Sequence, residues 1–202
     1  FNQNFIFPKI KQWQNFNKNI KKFKFKNILY KWDFEQAYFK NYNKTWKMNQ
    51  DEGGGMILFY MSHVIYNLLL IDNNLKFKKI ISFKKYKKYL IKINLLLISK
   101  KMSCSLKINI KSKSKIHHIF CFDNKRYVSL KNKTINWTKN FYLKTNKNIK
   151  TNQSSEDRDI LTRKNLKDLL KFNYQSENYL EKLKIFSKTY KILEKIQISQ
   201  DV

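Results

Sequence analysis

Several residues that most proteins use freely are almost missing from this sequence. It holds one alanine (Ala37), one proline (Pro8), three glycines (Gly53-Gly54-Gly55) and three arginines (Arg126, Arg158, Arg163). Codons for these residues depend on G and C. The deficit therefore points to a very AT-rich gene, such as small organellar genomes carry, rather than to a structural demand. A start at Phe1 rather than Met fits trimming or a non-standard start codon. Cysteine is also scarce. Cys104 and Cys121 are separated by 17 positions with no C-x-x-C, and the histidines are His63, His117 and His118. That leaves no zinc-ligand spacing, and two ordinary reduced thiols are expected. The three glycines are consecutive and no Gly-Lys-Ser/Thr follows them, which excludes a phosphate loop of that kind.

Acidic residues are the most telling shortage. The chain carries 43 Lys and Arg against 14 Asp and Glu, a net charge of +29. Residues 1–50 carry +9, residues 51–100 +6, residues 101–150 +12 and residues 151–202 only +2. Asp123 is the one acid in the third quarter. A metal-dependent nuclease or maturase needs carboxylates to hold its ions, so that class is disfavoured. No G-x-S-x-G or H-E-x-x-H occurs. His117 and His118 are adjacent, so on a strand they face opposite sides and cannot share a ligand. The expectation is a protein that is not an enzyme, with no cofactor, no metal and no small-molecule substrate. A charge this large suits a chain whose counter-charge comes from nucleic-acid phosphate.

A long membrane-spanning run is also lacking. The best candidate, 55–71 (GMILFYMSHVIYNLLLI), has 17 residues and includes Ser62, His63 and Asn67, whereas a span needs about 20 mostly apolar ones. It reads as buried core, part strand with its turn or a core helix, with no lipid contact. A membrane role survives as the alternative: an accessory subunit of a mitochondrial respiratory complex with its span at 55–71.

Hydrophobic residues make up 42% of the chain and aromatics 16%, enough for a packed core. Residues 1–52 are basic and aromatic, with Trp13, Trp32 and Trp46, and read as an extension; a helix is possible over 33–42. The Gly53–Gly55 break opens a domain over 53–186. Within it, 75–98 reads as a helix with an apolar stripe between lysine pairs. Residues 103–113 alternate strictly (Leu106, Ile108, Ile110 against Lys107, Asn109, Lys111) and read as a half-exposed strand. A short apolar run follows at 116–122, then a turn at 123–126 and a strand at 127–130. Near-neutral helices are expected beyond Ser154. The stretch 179–196 should pack on protein through Leu183, Phe186, Tyr190 and Leu193, with 187–202 forming a helical tail.

One stretch carries a family resemblance. Lys125-Arg126-Tyr127-Val128-Ser129-Leu130-Lys131, followed after a gap by Phe141-Tyr142-Leu143-Lys144-Thr145-Asn146-Lys147, resembles the signature of the small-subunit ribosomal protein S-ten family. Asn132-Lys133-Thr134 stands where the family has Ser-Pro-His. The resemblance implies an α+β fold: a four-stranded β-α-β-β-α-β sheet, two helices and a long extended hairpin, here 123–150. It implies a structural constituent of the small-subunit head of a mitochondrial ribosome, located in the matrix. The partners would be small-subunit ribosomal RNA and neighbouring head proteins of the S-three and S-fourteen types. The RNA-contacting residues would be Lys125, Arg126, Lys131, Lys133, Trp137, Lys139, Lys144 and Lys147.

Overall fold

The structure is a computed structural model that describes residues 7–41, 46–49, 53–132, 140–146, 160–163, 167 and 177–200. Its centre is a seven-stranded mixed sheet in the order β2-β3-β4-β1-β5-β6-β7. The strands are β1 (Asn27–Glu35), β2 (Lys76–Tyr86), β3 (Tyr89–Ile98), β4 (Ser103–Asn109), β5 (Lys111–Phe122), β6 (Tyr127–Asn132) and β7 (Tyr142–Thr145). β1 runs parallel to β4, and the other pairings are antiparallel. The expected four-stranded sheet with two helices is therefore replaced. Of the expected arm at 123–150, the described residues include β6 and β7, which are the last two strands of the sheet; 133–139 and 147–150 lie outside the described residues.

Period-two patterning builds the middle of this sheet. β4 buries Cys104, Leu106 and Ile108, and β6 buries Val128 and Leu130, while the residues between them are half-exposed. β1, expected as part of an extension, follows the same rule with Ile28, Tyr30 and Trp32. Among the described residues, one face of the sheet is thus buried and the other carries mostly half-exposed side chains.

Helices cover the buried face. α1 (Lys11–Phe23) places Gln12, Trp13, Phe16 and Ile20 on one side, at helical spacing. Lys21 and Lys22 lie in its last turn, where cations favour the negative end of the helix dipole. A left-handed Lys24 (φ 53°, ψ 50°) closes it, donating its N–H to the Ile20 carbonyl. A short helix, α2 (Ala37–Asn41), follows β1. A π-helical turn (Met56–Met61) then leads into α3 (Ser62–Ile71), which is buried from Ser62 to Leu69. The 55–71 segment is core, as expected, but helical and without the expected strand. Among the described residues no helix is long and apolar enough to cross a membrane. The last helix, α4 (Glu177–Ile198), packs against α3 and β2.

The expected helix at 75–98 is the β2–β3 hairpin. Tyr86 pairs with Tyr89 around a two-residue turn in which Lys87 is left-handed (φ 53°). Such turns normally carry Gly or Asn at that position, and a lysine pair conceals the signal. α4 is helical as expected, but its buried face is turned. Ile185, Thr189, Ile192, Leu193 and Ile196 are buried, whereas Leu183 is 44% exposed and Phe186 and Tyr190 are half-buried.

Candidate anion-binding face

The pleat of β5 divides its two histidines. His117 points into the core, where Phe7, Trp13, Tyr30, Trp32 and Phe141 surround it; the Trp32 ring stacks on it at 4.7 Å. Its Nε2 is 2.5 Å from the Tyr30 hydroxyl. Burial, and secondarily the charge of His118, pushes its pKa down to about 3. Burial likewise raises the Tyr30 hydroxyl well above the usual tyrosine range, so this pair is neutral at any physiological pH. Trp13 Nε1 and His117 Nδ1 have no hydrogen-bond partner among the described residues. This cluster is a sealed core feature with no route to a substrate in view.

His118 points the other way, onto the uncovered face. Strand register places it in a cross-strand row: Asn94 (β3), Lys107 (β4), Lys31 (β1), His118 (β5), Lys131 (β6) and Tyr142 (β7) are successive partners. Neighbouring strands are spaced by about 4.8 Å, so Lys107 to Lys131 covers roughly 14 Å. His118 Nε2 hydrogen-bonds Ser129 Oγ at 2.8 Å. Burial lowers the pKa of His118, and the Lys131 and Lys31 ammonium groups lower it further. The Lys31 ammonium also meets Asp33 at 3.1 Å, leaving further N–H donors for a ligand.

The adjacent row is apolar and hydroxylic: Leu96, Ser105, Leu29, Phe120, Ser129 and Lys144. Phe120 stacks on Phe122 at 5.2 Å and lies 5.6 Å from Tyr127. Leu29 is 49% exposed at the centre of the sheet. A flat apolar shelf therefore borders a line of cations, a combination suited to a ligand with an aromatic or sugar part and an anionic part.

The residues expected to contact RNA are divided among different surroundings. Lys131 and Lys144 lie on this face, and Lys125 is exposed at the β5–β6 turn. Arg126 is taken up within the molecule. It bridges Asp123 at 2.7 Å, donates to the Phe23 carbonyl at 3.2 Å and lies over the Phe23 and Phe25 rings. Backbone N–H donation from Lys125, and then Arg126, lowers the Asp123 pKa. Lys133, Trp137, Lys139 and Lys147 lie outside the described residues. Sequence reasoning missed Lys31, Lys107 and His118 as neighbours, because it did not see β1 between β4 and β5.

Among the described residues no group of three or more His, Cys, Asp or Glu side chains could hold a metal ion. The glycine turn is committed to packing. Gly54 donates its N–H to the Asn49 carbonyl, and a Cβ there would meet the Trp46 carbonyl oxygen at 2.0 Å.

No family model and no curated protein sequence matches the chain. Solved structures do resemble it. An NADPH-dependent oxidoreductase from Desulfitobacterium hafniense superposes with a TM-score of 0.70 at 11% identity, over 98% of this chain and 62% of the other. For the UDP-N-acetylglucosamine 3-dehydrogenase of Acidithiobacillus ferrooxidans the values are 0.66 and 10%, over 96% and 59%. A 3-ketoreductase from Actinomadura kijaniata, crystallised with TDP-benzene and NADP, gives 0.64 and 10%, over 94% and 58%. The chain spans about three-fifths of the length of these proteins. At such identities the likeness establishes the fold. That fold is the sheet of oxidoreductases and not that of the S-ten family. It overturns the ribosomal assignment, and with it the small-subunit RNA and head-protein partners and the non-enzymatic, substrate-free reading built on them. The respiratory-subunit alternative, which needed a span at 55–71, falls as well.

Proposed function

We propose that this chain is the sheet-bearing domain of an oxidoreductase-type enzyme, and that its open face binds a phosphate-bearing ligand of the nucleotide class. The carrying observation is the row Lys107–Lys31–His118–Lys131 beside the Leu29–Phe120–Phe122–Tyr127 shelf. Lysines meet phosphate as mobile point charges, and the shelf offers rings and aliphatic surface to a base or sugar. The similar structures fit this ligand class: one is NADPH-dependent, one acts on a UDP-sugar, and one holds a TDP derivative with NADP. Lys144, diagonal to Lys131, and Lys125 at the neighbouring turn extend the positive field.

A nicotinamide cofactor would bring hydride transfer. The residues here do not fit its pyrophosphate: the only glycine turn packs against backbone carbonyls, and the glycines are consecutive rather than spaced as a dinucleotide loop requires. No redox step is assigned to this chain's residues. The AT-rich composition supports the mitochondrial matrix as the setting.

The test is direct binding of UDP and TDP to the full chain by calorimetry. Micromolar to millimolar affinity is expected, weakened at least tenfold in a Lys31→Gln/Lys131→Gln variant and reduced by salt. Equal binding by that variant would refute the placement on this face.

A further inference from the structure

The row holds a titratable group between two fixed cations, and that arrangement discriminates between anions. We propose, resting on the reading above, that the face selects a phosphomonoester dianion over a phosphodiester monoanion, and that His118 takes up a proton when the dianion binds. The specific ligand class is then a nucleotide or sugar with a terminal phosphate.

The geometry supplies the reasons. Lys31 on β1 and Lys131 on β6 are the cross-strand partners of His118 on either side. Lys107 lies one strand beyond Lys31. Lys144 is paired with Ser129, the residue that hydrogen-bonds the imidazole. Among the described residues Asp33 is the acid near the row, and it is engaged by Lys31. His117 points to the other side of the sheet. In the empty face the imidazole is therefore held neutral between like charges. A dianion over the row offsets two of the positive charges that hold the imidazole neutral, and so favours an imidazolium. The proton comes from solvent. The charged ring donates from both nitrogens, through Nε2 to Ser129 Oγ and through Nδ1 to the ligand. A diester brings one negative charge and offsets half as much.

Binding and protonation are linked reciprocally, so each tenfold gain in affinity on protonation appears as one unit of upward shift in the histidine's pKa. The measurement is the pH titration of the histidine ring resonances by NMR; the chain has three histidines. It is run on the full chain, free and saturated with AMP, with the methyl diester of AMP, and with sulfate, a dianion that does not itself titrate between pH 5 and 8. AMP and sulfate are expected to raise the His118 pKa by about one unit and the diester to raise it by distinctly less. AMP should bind about tenfold more tightly than the diester at pH 6. His118→Gln should narrow that preference while still binding both esters, because the lysines alone favour the dianion. Equal affinity for the two esters, or an unmoved His118 resonance with AMP bound, overturns the inference and leaves the anion face standing. Failure of every anion to bind overturns both.

Discussion

His117 and His118 have the same chemistry and opposite surroundings, and the pleat alone separates them. For His117 the consequence is a dependence of stability on pH. Its folded pKa, about 3, lies below the ordinary 6.5, so the unfolded chain binds more protons between those values. Stability is then complete above about pH 6.5 and is lost as pH falls towards 3, at up to about 1.4 kcal/mol per pH unit. A His117→Gln variant keeps a hydrogen-bonding group for Tyr30 but does not titrate. Urea midpoints measured from pH 7 to 4 should fall more steeply for the natural chain than for this variant; parallel slopes would contradict the assignment. At this scale the sequence was informative. Adjacent histidines on a strand had to face opposite sides, and they do. The engagement of Arg126's charge at the Asp123 turn was not readable, because its second anchor, the Phe23 carbonyl, is 103 residues away.

Among the elements, the left-handed lysines stand out. Lys24 ends α1 and Lys87 turns the β2–β3 hairpin, each at φ 53°. A side chain there costs roughly 1 kcal/mol relative to glycine. Lys24→Gly and Lys87→Gly should each stabilise the protein by about 0.5–1 kcal/mol in equilibrium denaturation, and a loss of stability would show that these lysines make contacts that offset the strain. The same positions explain where the sequence misled. A glycine-starved gene removes the usual markers of helix ends and tight turns, so the hairpin reads as one continuous amphipathic helix. Strands with strict alternation, β4 and β6, remained legible because their signal is burial and not punctuation.

β2 is an edge strand exposed along most of its length, with Ile81 and Phe83 open to solvent at 51% and 46%. Lys78, Lys79, Lys84 and Lys85 flank these side chains, and its pairing with β3 shifts register three times. Charge and irregularity both discourage a second chain from adding to such an edge. Replacing those four lysines with threonine should promote self-association, visible as rising light scattering at concentrations where the natural chain stays monodisperse.

For the whole molecule, the net charge of +29 is a destabilising field that the fold tolerates. Raising ionic strength from about 10 to 150 mM shortens the screening length to about 8 Å, and the melting temperature should rise with it. A melting temperature that ignores salt would mean the charges are already compensated within the chain. The topology was the least legible feature. Local pattern identifies strands but not their order, and β1 pairs with residues roughly 75–95 positions later in the chain. A short match to a familiar signature therefore captured two real strands, β6 and β7, and placed them in the wrong sheet.

That order also has a consequence during synthesis. β1 leaves the ribosome early, yet its two neighbours are β4 and β5. At roughly 5–20 residues per second, the roughly ninety residues that must follow before β5 is complete take on the order of 5–20 s. Throughout that interval Ile28, Tyr30 and Trp32 have no slot to enter. β1 is thus made well before either of its neighbours and seated only after them, and its apolar side chains must be kept from a wrong partner in the meantime.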